Sequence, residues 1–184
     1  MTADQILPER ASQLCMACGL CCNGALHDAA ALLPEEATLA LDLGMKVTQS
    51  ERGVQFELPC HLLKDRCCTV YADRPSPCRN YRCRLLQSLD AGERSLEQCL
   101  DKVSNAQSLL GDLVDILPKG MTIPEARASV AFRPVEDDAG RIGKAKIKLR
   151  AFALSVYLEK YFRNDYENSF LQSTSINENN GSSL

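Results

Sequence analysis

The sequence predicts an α-rich α+β chain, and three observations carry that prediction. Nine of the ten cysteines fall in two short runs, Cys15 to Cys22 and Cys60 to Cys83, around which no long periodic element fits. Between the runs, Val54-Gln55-Phe56-Glu57-Leu58 alternates apolar and polar side chains, the period of a short half-buried strand. From Ser95 onward, apolar residues recur at helical spacing almost without interruption. The expected organisation is a small irregular cysteine domain over residues 13–88, with short helices and a hairpin. A helical region over 93–162 packs on it, and a disordered tail follows over 163–184.

Bulk properties narrow the class. At 184 residues, 45% hydrophobic and 24% charged, the composition is that of an ordinary globular chain. A formal charge of −3 supplies no global positive field for nucleic acid or an anionic membrane. No apolar run approaches the roughly 20 residues that cross a bilayer, so no membrane partner is expected. The opening MTADQILPERASQL has neither a basic flank nor a long apolar stretch, so no secretory signal is read and a cytoplasmic location is expected. In a reducing compartment many thiols point to metal rather than to disulfides. The adjacent pairs Cys21-Cys22 and Cys67-Cys68 also suit disulfides poorly.

Residues 1–14 read as a lead-in, broken at Leu7-Pro8, with a turn of helix from Glu9 to Leu14. Asn23-Gly24 is a turn signal. Pro34 with Glu35 and Glu36 suits a helix start and Gly44 its end, giving a short helix over 34–43. Cys67 to Tyr71 is expected to pair with the 54–58 strand, turning at Lys64-Asp65-Arg66. Pro75 and Pro77 delay the next helix, expected from Cys78 to Leu89. Ser95 with Gln98 three residues on forms a capping box, opening a helix that Pro118 ends. Thr122, Pro124 and Glu125 start another helix, carrying Ala126, Val130 and Phe132. A charged connector, Glu136 to Gly140, leads to a last long helix from Arg141 to Phe162. Asn, Ser and Glu dominate beyond Arg163, the composition of a disordered tail.

The thiol spacing carries the chemistry. In Cys15-x-x-Cys18-x-x-Cys21, two intervening residues let a tight turn aim neighbouring sulfurs at one ion, with backbone amides toward the negative charge. Gly19 suits the positive φ that such a turn needs. The spacing opens like a bacterial ferredoxin, but Ala25 stands where that pattern places its fourth cysteine. The second run reads Cys60-His61-Leu62, then Cys68-Thr69-Val70-Tyr71-Ala72-Asp73-Arg74-Pro75-Ser76-Pro77-Cys78-Arg79-Asn80-Tyr81-Arg82-Cys83. Arg66, Arg74, Arg79, Arg82 and Arg84 crowd this run against only Asp65 and Asp73. Buried thiolate–metal centres carry net negative charge that such cations offset, and Arg74 and Arg79 are the expected donors beside the sulfurs.

Taken together, the C-x-x-C-x-x-C-C run, the C-x-L and the C-x-[IV]-Y-x-x-R-P-x-x-C-R-x-[FY]-x-C frame resemble the YkgJ-type cysteine-cluster family of zinc- or iron-chelating proteins. The same module resembles that of flagellin lysine N-methylases. The match spans about residues 15–83. It implies metal-ligand roles for Cys15, Cys18, Cys21, Cys22, Cys60, Cys68, Cys78 and Cys83, and leaves Cys67 and Cys99 outside. Eight thiolates fill two tetrahedral four-cysteine positions, as Zn²⁺ or as iron in Fe–S clusters, or one polynuclear centre with bridging sulfurs.

Other residues have plainer readings. His27 and His61, the only histidines, are expected at the surface or in packing, and Cys99 in the core of its helix. Tyr71 and Tyr81 are expected to cover the site. The run Lys144, Lys146, Lys148 and Arg150 reads as a solvated helix face. The functional expectation is a metal-binding protein whose thiolate site is mainly structural, with a protein partner on the helical region. The alternative is an Fe–S redox or protein-modification component, as the methylase resemblance implies. No glycine-rich phosphate loop is present, and no βαβ pattern surrounds the Cys-x-x-Cys as thiol–disulfide chemistry would require.

Overall fold

A computed structural model describes residues 3–50, 53–129 and 138–164. Among these residues the chain is α-rich with two small sheets, in keeping with the predicted class. Helix α1 covers Ala3–Cys18, so the expected lead-in is one continuous helix through Pro8 that delivers the first two cysteines at its C-terminal end. A loop then leads to strand β1 (Ala29–Ala31), a 3-10 turn (Pro34–Glu36) and helix α2 (Ala37–Asp42), closed by Gly44 at φ +72°. Strands β2 (Val47–Ser50) and β3 (Gly53–Glu57) follow.

The first sheet is antiparallel in the order β1-β3-β2, with Phe56 opposite Ala30 on one side and Val47 on the other. The expected pairing of β3 with the Cys67 segment does not occur. Cys67–Cys68 (β5) pairs instead with Leu63–Lys64 (β4) in a separate two-residue hairpin. Its turn falls where expected, at Asp65 and Arg66, and both adopt positive φ, +46° and +69°. Two left-handed central residues give a turn the right-handed twist of the strands it joins. So short a hairpin closes on its own neighbour, leaving β3 to the alanine strand β1 and to β2.

The helix expected from Cys78 to Leu89 is split. Helix α3 covers Ser76–Asn80 and α4 covers Arg84–Asp90. Between them Tyr81 and Cys83 are extended, and the Cys83 sulfur accepts from the Leu86 amide at 3.4 Å, capping α4. A polar atom at the N-cap takes up an otherwise orphaned amide. Helices α5 (Leu96–Val114) and α6 (Ile123–Ala128) both begin with the expected capping boxes, Ser95/Gln98 and Thr122/Glu125. Helix α7 covers Asp138–Tyr161, starting inside the expected connector. Val130, Phe132, Glu136, Asp137 and the 165–184 tail lie outside the described residues.

Two apolar clusters result. Helices α1, α4, α5, α6 and α7 share the larger, which includes Leu14, Leu86, Val103, Leu113, Leu154 and Phe162. Along α5 the buried side chains Cys99, Val103, Ala106, Leu110 and Leu113 keep the three-and-four spacing of one helix face. On α7, Ile147, Ala151, Leu154 and Leu158 face this core, while Ile142, Leu149, Phe152 and Val156 are exposed. The smaller cluster, Leu32, Ala40, Met45 and Phe56, sits between α2 and the three-stranded sheet. Among the described residues no helix is long and apolar enough to cross a membrane.

Candidate metal centre

The thiols lie where the two clusters meet. Helix α1 stops at Cys18 because Gly19 takes φ +64°, a conformation open to glycine without steric cost. A β-carbon at Gly19 would also stand 3.2 Å from the Arg66 carbonyl oxygen. The chain then folds over itself. The Cys22 and Asn23 amides donate to the Gly19 carbonyl at 3.1 Å, and Asn23 Oδ1 accepts from the Ala25 amide at 2.9 Å. Gly24, at φ +82°, passes so close to α6 that a β-carbon would meet Pro124 at 2.8 Å.

This loop is braced from the helical region by side chains that local sequence does not single out. Gln107 of α5 donates to the Cys18 carbonyl. Arg127 of α6 donates to the Gly24 carbonyl at 3.0 Å and pairs with Asp28 at 2.8 Å. Arg163, buried and paired with Glu159, reaches the Leu26 carbonyl at 3.4 Å. The second run is anchored similarly, since the Arg84 amide donates to the Phe162 carbonyl at 3.0 Å, directly beside Cys83. Contacts between segments so far apart in sequence, up to 137 residues for Arg163 and Leu26, leave no periodicity to read.

All ten cysteines are among the described residues, and none forms a disulfide. Cys15, Cys18, Cys21, Cys22, Cys60, Cys68, Cys78 and Cys83 line one cavity of about 330 Å³. Cys67 is exposed, its thiol 3.8 Å from the Met16 carbonyl, and does not line the cavity. Cys99 is buried in the helical core, its thiol 3.9 Å from the Leu85 carbonyl, as expected of a packing thiol. The cysteines divide by neighbourhood. Cys15, Cys18, Cys21 and Cys83 pack against the helical cluster, and Cys60 and Cys78 against the sheet cluster. The Cys22 carbonyl accepts from the Cys60 amide at 2.7 Å, and Cys68 pairs across the hairpin with Leu63.

Of the arginines read as counter-charges, Arg74 reaches the thiols and Arg79 does not. Arg74 lines the cavity with its guanidinium 3.6 Å from the centre of the Tyr71 ring, and its Nε is buried without a hydrogen-bond partner. Arg79 is exposed on α3, away from the cavity lining, and its charge acts on Glu36. The short helix α3 turns it outward. Arg66, from the hairpin turn, also lines the cavity. Tyr71 and Tyr81 line it as expected, and so does His27, whose ring meets Tyr81 edge-on at 4.7 Å. His61 is exposed, beside Gly44.

Burial dominates the electrostatics. It raises the thiol pKa of Cys15, Cys18, Cys21 and Cys60 above the ordinary 9.0, Cys21 well above it. It pushes Cys22 up to about 12, and Cys78 and Cys83 to about 11. Neighbouring sulfurs add to the effect at Cys21, Cys22 and Cys78, because one thiolate disfavours the next. The Arg74 charge opposes it at Cys15, Cys22 and Cys78. Such a pocket stores protonated thiols until a cation takes their place, which is the chemistry of a thiolate chelator. The donor set fits zinc or iron: soft sulfur ligands, packed apolar walls and an enclosed arginine.

No curated protein and no solved structure gives a significant match to the chain. Residues 14–100 match the family model CxxCxxCC, described as "Putative zinc- or iron-chelating domain". That segment runs from the last turns of α1 into the first turn of α5 and contains every cysteine of the chain, so it is over residues 14–100, a little under half its length, that the chain is similar to this family.

Proposed function

We propose that this protein binds iron as polynuclear, sulfide-containing centres on its eight cavity thiols, and that these centres fasten the two cysteine runs to each other. One observation carries the reading. Eight thiols ring a cavity of about 330 Å³, yet no group of three or more Cys, His, Asp or Glu among the described residues is placed to hold one metal ion. A tetrahedral zinc site has Zn–S bonds of about 2.3 Å, which brings its sulfurs to within about 4 Å of one another. A cluster keeps its cysteines farther apart, because iron and sulfide stand between them. Thiols around a space rather than around a point suit the second arrangement.

The role is mainly structural because the cavity lies between the two apolar clusters, each of which places cysteines on it. Metal binding then supplies folding energy to a sheet whose own core has four buried residues among those described. Arg74, aimed into the cavity with an unused donor, and Arg66 offset the negative charge of a thiolate-bound centre.

Anaerobic purification, with iron, zinc and acid-labile sulfide measured per chain alongside the optical spectrum, tests the reading. The expected product is brown, with stoichiometric iron and sulfide. A colourless protein retaining two zinc ions would overturn the cluster assignment in favour of structural zinc. If the iron also cycles reversibly under dithionite and air, the redox role implied by the flagellin lysine N-methylase resemblance gains direct support.

A further inference from the structure

We infer that the eight thiols form two separate four-thiolate centres that exchange one ligand between the two cysteine runs. Cys15, Cys18, Cys21 and Cys83 hold one centre on the helical layer. Cys22, Cys60, Cys68 and Cys78 hold the other on the sheet layer. The inference rests on the metal-binding reading above and deepens it.

The sequence leaves the division open, as two four-cysteine positions or one polynuclear centre with bridging sulfurs. Packing favours two positions. Cys15, Cys18, Cys21 and Cys83 all lie against the helical core, whereas Cys60 and Cys78 lie against Leu32, Ala40, Met45 and Phe56. Backbone bonds tie the remaining two to the sheet side. The Cys22 carbonyl accepts from the Cys60 amide at 2.7 Å. Cys68 sits opposite Leu63, whose amide donates to the Cys60 carbonyl at 3.2 Å.

The doubled Cys21-Cys22 now has a physical reason. Adjacent side chains on an irregular turn diverge, so neighbouring residues serve two centres rather than chelate one. The extended backbone at Cys83, between α3 and α4, performs the reverse crossing and returns the second run to the helical layer. Arg74 lines the cavity that both sets share, its buried Nε without a hydrogen-bond partner.

Partial metal extraction from the intact full-length protein tests this division. The protein is loaded anaerobically with iron and sulfide, or with zinc alone, treated with limiting chelator and alkylated under native conditions. Thiols released are then identified by intact and fragment mass spectrometry. The expected intermediate carries four newly reactive thiols that belong to one set only, with Cys67 modified throughout. Intermediates mixing the sets, or loss of all eight protections together, would overturn the inference.

Substitution supplies an independent reading. Cys18→Ser and Cys78→Ser should each retain about half of the wild-type metal. The double variant Cys18→Ser/Cys21→Ser should retain as much as Cys18→Ser alone, and Cys18→Ser/Cys78→Ser should retain almost none. A folded single variant that loses all metal would refute two independent centres. Wild type that binds no metal at all would instead refute the metal-binding reading, and the two failures are distinguishable.

Discussion

Cys22 and Cys99 are both cysteines of low exposure, and their surroundings assign them opposite roles. Cys22 faces the shared cavity with its thiol pKa pushed up to about 12, whereas Cys99 packs on the apolar face of α5 against Leu85. Cys22→Ser should therefore lower bound metal, while Cys99→Ser leaves metal unchanged and costs about 1 kcal/mol through packing. Metal per chain and a denaturant melt separate the two effects. Equal metal loss in both variants would show that the cavity does not define the ligands. At Gly19, positive φ and the nearby Arg66 carbonyl act together. Gly19→Ala should cost about 1–2 kcal/mol, read as a shift of the denaturation midpoint. Arg74→Gln removes a cation from the cavity lining, so chelator should strip its metal several-fold faster than from wild type. Arg79→Gln, on the exposed side of α3, should leave that rate unchanged.

At the scale of elements, the long helices were legible because their signals are local. Ser95 with Gln98 and Thr122 with Glu125 form capping boxes from four consecutive residues, and α5 keeps one apolar face throughout. The same local rules misread the segment from Cys78 to Leu89. Nothing in propensity says that the Cys83 sulfur stops one helix and caps the next. They also paired the Cys67 strand with β3, although short strands choose partners by tertiary closure rather than by pattern. The turn that follows helix α7 holds the loop of the first run through Arg163 and the Cys83 segment through the Phe162 carbonyl. Leu154→Ala, on the buried face of α7, should destabilise the protein by about 2–5 kcal/mol in a denaturant melt.

For the whole molecule, metal and proton compete for the same sulfurs. In the metal-free state Cys22, Cys78 and Cys83 hold their protons up to about pH 11–12, above the ordinary 9.0. Stability from keeping these thiols neutral is complete below about pH 9 and is lost as pH rises through those values. Metal binding reverses the sign, because thiolates bind only after protons leave. Metal affinity should thus fall steeply from pH 8 to pH 6, with protons released on loading, as chelator competition and titration would measure. Removing the metal at neutral pH should lower the melting temperature by on the order of 10 °C, since several kcal/mol at roughly 2–4 °C each are withdrawn from a chain of this size.

The sequence by itself determined the kinds of element, the two thiol runs and the chemistry of their donors, because spacing, capping and sulfur type are properties of neighbouring residues. It also indicated that Gly19 must turn and that Cys99 belongs in a core. Only the tertiary structure decided which apolar cluster the thiols pack against, that Arg74 rather than Arg79 lines their cavity, and that Gln107, Arg127 and Arg163 brace their loop. Those facts depend on which layers the chain brings together. Cys83 joins Cys15 because α4 packs on α1 and on α5, and Cys60 joins Cys22 through a backbone bond between segments 38 residues apart. Contacts of that range are set by burial of whole elements, which no local window of sequence contains.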